Sequence, residues 1–152
     1  LSSIPTHSST LCQHSCAYFA TLIWEALNGT SKEEFLAPYA GQEFFEKNLD
    51  PKVKEVAEGS FKDLEGDIPN SGFVVDSLVA ALYAFHTTDS FKDGAIVAVN
   101  LGGDADTIGA IYGQLAGAYY GHSSIPEEWL EPLYKKDLIE KVTLSLLGGQ
   151  DE

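Results

Sequence analysis

The chain has 152 residues, 44% of them apolar and 21% charged, and a formal net charge of -14. That length suits one domain with a real core, while the carboxylate excess disfavours nonspecific nucleic-acid binding and adsorption to anionic membranes. No stretch reaches the roughly 18–20 apolar residues of a bilayer span, and no signal peptide is visible. The sequence opens at Leu1 and contains no methionine, as expected of a processed or truncated piece of a longer polypeptide.

Leu1 to Leu11 is polar and reads as a loop that contains His7. From Cys12 to Leu27 the pattern becomes helical, with Cys16, Phe19, Leu22 or Ile23, and Leu27 on one face, and Asn28-Gly29 as the stop. Cys12 and Cys16 lie four apart, where a disulfide would be strained, so free thiols and a reducing, cytoplasmic compartment are expected. A zinc site from Cys12, Cys16, His7 and His14 matches no standard ligand spacing. Thr30 and Ser31 each stand three residues before a glutamate, Glu33 and Glu34, a doubled capping-box signal for a helix broken or bent near Pro38. Asp50-Pro51 opens another, with Asp50 as N-cap.

Phe61 to Ser71 is a polar loop whose Asp63, Glu65 and Asp67 read as solvated. Val74 to His86 carries Val75, Leu78, Val79, Leu82 and Phe85 at the spacing of a core helix. Ser90 with Asp93 caps the next helix, through about Asn100. From Thr107 onward, Gly109, Gly113, Gly117 and Gly121 recur every four residues. Glycine disfavours helix by about 1 kcal/mol relative to alanine, so the stripe predicts close backbone approach to a neighbouring helix. It is too short for a membrane-dimerisation motif. A short turn or helix opens at Ser124, and Asp137 to Leu147 is a final amphipathic helix ended by Gly148-Gly149. No strand alternation, repeat or linker is visible. The expected class is all-α, an irregular orthogonal bundle forming a single domain over 1–152.

The chemistry concentrates in Asn100-Leu101-Gly102-Gly103-Asp104-Ala105-Asp106-Thr107-Ile108-Gly109. The glycine pair admits backbone conformations closed to other residues. Thr107, or Asp106 before it, is a fair N-cap. Asp104, Asp106 and the Thr107 hydroxyl offer hard oxygen donors of the kind that bind Mg²⁺, Ca²⁺ or Mn²⁺. A capped helix start in an acidic loop explains the same residues without any ion. An EF-hand is excluded because Leu115 stands where its twelfth-position Glu is required. A P-loop and a dinucleotide fingerprint fail for want of Gly-Lys-Ser/Thr and of the G-x-G-x-x-G spacing.

Asn100 to Gly121, NLGGDADTIGAIYGQLAGAYYG, closely resembles the C-terminal signature of the ADP-ribosylglycohydrolase family. Thr6-His7-Ser8-Ser9 and Gly72-Phe73-Val74-Val75-Asp76-Ser77-Leu78 resemble two further family stretches in the same order. The likeness covers most of this chain and the C-terminal half of a family member. It implies an all-helical fold of the ADP-ribosylglycohydrolase type. It also implies hydrolysis of the bond at C1″ of the distal ribose of ADP-ribose, from an ADP-ribosylated protein or an ADP-ribose derivative, releasing ADP-ribose. Two ions, Mg²⁺ or Mn²⁺, would be held partly by Asp104, Asp106 and Thr107, with Asp106 the bridging ligand. His7, Ser8, Ser9, Gly102 and Gly103 fall at substrate-binding positions, and Phe73 where relatives pack an aromatic on adenine. The remaining ligands and the acidic catalytic residue belong to an N-terminal segment absent here, so this chain carries about half of the metal site. A complementary segment or second chain would supply the rest. Two other readings stand beside this one: a catalytically silent, crystallin-like relative with a structural or ligand-binding role, and an acidic Ca²⁺-binding module.

Overall fold

A computed structural model describes residues 3–38 and 48–148. Every regular element in them is helical, as the all-α reading requires. Helix α1 (Thr10–Leu27) starts two residues earlier than its apolar pattern suggested, because the Ser9 hydroxyl accepts from Cys12 N at 3.3 Å and caps it. Its buried face is Ser15, Tyr18, Leu22 and Ala26. Cys16 and Leu27, expected on that face, are exposed. The short helix α2 (Lys32–Phe35) realises one of the two capping boxes. Ser31 and Glu34 satisfy each other's backbone N–H groups, and the Thr30 hydroxyl donates to Glu25 at 2.7 Å instead. Helix α3 (Pro51–Ala57) has the expected Asp50 cap, whose carboxylate accepts from Lys52 N at 3.0 Å.

Helices α4 (Val74–His86) and α5 (Phe91–Asn100) match their expected spans. Ser90 caps α5 through Asp93 N at 3.1 Å. Helix α6 (Ala105–Tyr120) lies against α1, α4 and α5 and forms the axis of the bundle. A 3₁₀ turn at His122–Ser124 follows, then α7 (Glu127–Leu130) and α8 (Lys136–Leu146).

The core centres on Phe85, fully buried on α4. Its ring stacks on Phe35 at 5.9 Å and meets Tyr119 edge-on at 5.5 Å, with Tyr112 and Tyr120 tilted against it. A fully buried ring such as Phe85 or Phe35 contributes about 1.5–3 kcal/mol by leaving water, and the offset and edge-on ring geometries add to that. Lys32, buried in α2, points its ammonium over Phe85 at 5.2 Å and donates to the Thr88 carbonyl and to Asp89. One charge thus ties α2 to the α4–α5 corner.

The glycine stripe of α6 does not behave as expected along its length. A Cβ on Gly109 would come within 3.2 Å of Val99 on α5, which is a close approach. At Gly113 and Gly117 it would meet nothing within 4 Å, and Gly121, with φ +82, terminates the helix. The tight helix contact is instead at Gly94 on α5, where a Cβ would overlap the Tyr112 hydroxyl at 2.2 Å. That hydroxyl is fixed by donating to the Phe91 carbonyl at 2.9 Å.

Candidate functional site

The turn between α5 and α6 is built by its glycines. Gly102 and Gly103 have φ of +75 and +59, in the left-handed region. A side chain on Gly103 would place its Cβ 2.1 Å from the Asn70 carbonyl oxygen. That oxygen is close because it accepts from Asp104 N at 2.9 Å, while the Asn70 amide donates to the Leu101 carbonyl at 2.6 Å. The 61–71 loop is therefore stitched to the turn from both sides.

Asp104, rather than Asp106 or Thr107, is the N-cap residue of α6, and its carboxylate makes no capping hydrogen bond. The carboxylate lies against Gly72, where a Cβ would stand 3.0 Å from Oδ2. Asp106 and Thr107 fall in the exposed first turn, where the helix dipole favours negative charge. The N-cap expectation erred because the glycine turn lets the helix begin directly after Asp104.

Opposite the turn, the start of α4 is braced by hydroxyls. Ser71 Oγ donates to Asp76 at 2.6 Å and accepts from Phe73 N at 3.1 Å, and the buried Ser77 hydroxyl donates to the Ser71 carbonyl at 2.9 Å. These bonds hold Phe73, a residue 40% exposed, and the Lys52 ammonium sits 4.9 Å from the ring centre. The third wall is the start of α1. There His7 N donates to the Ser3 carbonyl at 2.7 Å, and the Ser8 carbonyl accepts from the Gln13 amide at 2.8 Å.

These three segments enclose a groove of about 630 Å³. His7, Ser9, Phe73 and Thr107 all line it, although they are widely separated in sequence. Gly72, Ser77, Val74 and Ile111 are among the other lining residues, together with Cys12 and Cys16, both free thiols. Asp104, Asp106, Gly102, Gly103 and Ser8 do not line the groove, but Asp104 touches Gly72, which does. Sequence reasoning missed Asn70, and within the family-like stretch from Gly72 to Leu78 it gave a role to Phe73 alone. The Asn-Ser-Gly run before a core helix was the available signal.

The donor set has a clear character. His14 is not beside the thiols as a ligand: its Nδ1 accepts from Asp50 N at 2.8 Å and braces α3. Among the described residues no group of three or more His, Cys, Asp or Glu side chains could hold a metal, which removes the zinc reading. Asp104, Asp106 and Thr107 supply hard oxygens of the type Mg²⁺ takes, but fewer than its octahedral shell requires. A second depression of about 560 Å³, between the end of α1 and α2, offers no comparable chemistry. Its Glu25 accepts from Thr30, and the hydrogen bonds from Ser31 hold Glu34 below the usual carboxylate range. Among the described residues no helix is long and apolar enough to cross a membrane.

The chain is 35% identical over 145 residues to the ADP-ribosylarginine hydrolase Tri1 of Serratia proteamaculans, covering 95% of this chain and 38% of that protein. It is 39% identical over 142 residues to the Tri1 hydrolase of Pseudomonas putida, covering 93% and 37%. It is 31% identical over 131 residues to the ADP-ribosyl-[dinitrogen reductase] glycohydrolase of Rhodospirillum rubrum, covering 86% and 40%. A solved structure described as an ADP-ribosylglycohydrolase-related protein complex superposes with a TM-score of 0.84 at 41% identity, over 95% of this chain and 49% of that one. The chain thus spans about two fifths of these curated relatives and about half of the solved chain. The ADP-ribosylglycohydrolase family profile matches residues 1–152, end to end, and the chain belongs to that family.

Proposed function

We propose that this chain forms the C-terminal part of a metal-dependent ADP-ribosyl hydrolase site and binds the ADP-ribose moiety in the groove between α1, α4 and α6. The observation that carries the reading is the convergence of His7, Ser9, Phe73 and Thr107 on one groove beside the Asp104–Thr107 turn. The named relatives that hydrolyse ADP-ribosyl linkages support it.

Each residue has a task that its setting suits. Phe73 offers an exposed aromatic face for adenine, held by the Ser71 and Ser77 hydroxyls beneath it. Ser9 Oγ accepts from the helix backbone, and its own O–H remains a donor to ribose or diphosphate oxygens. The exposed His7 ring stands at the same wall. Asp104, Asp106 and Thr107 would hold the two Mg²⁺ or Mn²⁺ ions together with ligands from outside this chain. Such ions supply charge neutralisation and orient ribose hydroxyls at C1″. Asp104 is set by its backbone bond to Asn70 and by contact with Gly72, so the turn presents oxygens without rearranging. The intact Asp104, Asp106 and Thr107 weigh against a silent crystallin-like role.

Calorimetric titration of ADP-ribose with Mg²⁺, and then with chelator, tests this. Binding should require the metal, and Asp106→Asn should abolish it while leaving the helical circular-dichroism signal in place, because Asp106 is exposed and caps nothing. Asp104→Asn should weaken it in the same direction. If ADP-ribose binds neither to the chain alone nor to the chain joined by the rest of a relative's domain, the reading falls.

A further inference from the structure

Helix α3 begins Pro51-Lys52 after its Asp50 cap, so Lys52 stands in the first turn, the end at which a helix dipole disfavours a cation. Helix stability gives no reason for a lysine there. Its backbone is nevertheless well fixed. The Asp50 carboxylate accepts from Lys52 N at 3.0 Å, and Asp50 N donates to His14 Nδ1 at 2.8 Å, which ties the start of α3 to α1. From this fixed root the exposed Lys52 carries its ammonium to 4.9 Å from the centre of the Phe73 ring.

Other lysines are placed differently. Lys32 pairs with Asp89, Lys54 with Glu58, Lys92 with Glu128 and Lys136 with Glu140. Among the described residues, ammonium groups lie over the rings of Phe85, Phe73, Phe61 and Tyr134, and of these rings only Phe73 lines the groove. No lysine or arginine among the described residues belongs to the lining itself, in a chain of net charge -14. A ligand bearing a diphosphate approaches such a surface against its field. The Lys52 ammonium lies well inside one Debye length, roughly 8 Å at physiological ionic strength, of a ligand stacked on Phe73. A flexible four-carbon stem lets it turn from the ring to a phosphate, with which it makes a charge-assisted hydrogen bond.

We propose that Lys52 sets the affinity of the groove for phosphate-bearing adenine ligands, its ammonium moving from the Phe73 ring to the ligand's diphosphate as adenine takes the ring. The proposal deepens the reading of the groove as an ADP-ribose site and rests on it.

The test is calorimetric titration of ADP-ribose in Mg²⁺ at low ionic strength and in molar salt, on the wild-type chain and a charge series at this position. At low ionic strength Lys52→Met, which keeps an apolar stem against the ring, should bind roughly tenfold more weakly, and Lys52→Glu more weakly still. In molar salt, where the Debye length shrinks to about 3 Å, the three should converge to within about twofold. Lys136→Met makes the same change of net charge on α8 and should leave binding at the wild-type level. Wild-type affinity in Lys52→Met at low ionic strength would overturn the inference. So would a loss that persists undiminished in molar salt, which would leave Lys52 shaping the ring without acting through its charge. An equal loss in Lys136→Met would also overturn it, by assigning the effect to net charge. These three outcomes leave the proposed function standing, whereas a wild-type chain that binds no ADP-ribose at either ionic strength removes both.

Discussion

The two sides of α6 use the same helix in opposite ways. One side buries Ile108, Tyr112, Leu115 and Ala116 against α1, α4 and α5. The other presents Gly113 and Gly117 to open space. A few residues upstream, Gly103 has no such freedom, because the Asn70 carbonyl stands where its side chain would be. Glycine therefore has no fixed meaning in this chain. What lies opposite each one decides whether it is a requirement, a contact or only a weak point in the helix.

Substitutions at these positions sharpen the contrast. Leu115→Ala removes a side chain that is 1% exposed and should destabilise the chain by about 2–5 kcal/mol in chemical denaturation. Gly103→Ala should destabilise it by about 1–3 kcal/mol, since backbone oxygen cannot yield as a flexible side chain does. It should also abolish Mg²⁺-dependent ADP-ribose binding by displacing Asp104. Gly113→Ala should act in the opposite sense, stabilising by up to about 1 kcal/mol through helix propensity, with ligand binding unchanged. A thermal melt in which Gly113→Ala destabilises as Gly103→Ala does would break the distinction.

The smallest effect concerns His86, at the far end of α4, which packs edge-on against Phe61 at 6.0 Å. Burial, then the nearby Lys62 and Lys32 charges, lower its pKa, with Asp63 opposing them. The folded state therefore binds the proton less readily than the unfolded chain. Its contribution is complete above the ordinary histidine pKa and is lost as pH falls through the lowered value. Melting temperature should decline over that window, and His86→Gln should flatten the decline.

Much of the fold was legible where local chemistry and tertiary packing agree. The Val74–His86 core face, the Ser31–Glu34 box, the Asp50-Pro51 start and the Ser90 cap all depend on neighbours within a few residues, and each appears as expected. The errors lie where a distant partner decides. The stripe Gly109–Gly121 looked like one interface, yet only Val99 sits close to it. The helix contact formed at Gly94, an isolated glycine that no periodicity singles out. The α6 cap moved to Asp104 at the glycine turn, whose backbone is held by Asn70, more than thirty residues earlier. At the site, His7, Ser9, Phe73 and Thr107 could be named from family likeness. The bracing by Ser71 and Ser77, and the thiols beside them, needed coordinates.

The placement of the aromatic rings has a spectroscopic consequence. Phe35, Phe85, Tyr112, Tyr119 and Tyr120 crowd together in the bundle, whereas α8 contains no aromatic residue. Near-ultraviolet dichroism consequently carries no chromophore from α8 itself, while the far-ultraviolet signal sums both. Fraying of the last helix ahead of the interior would pull the two transition curves apart. In this chain such a gap reads as one peripheral helix melting early, not as a folding intermediate of the bundle.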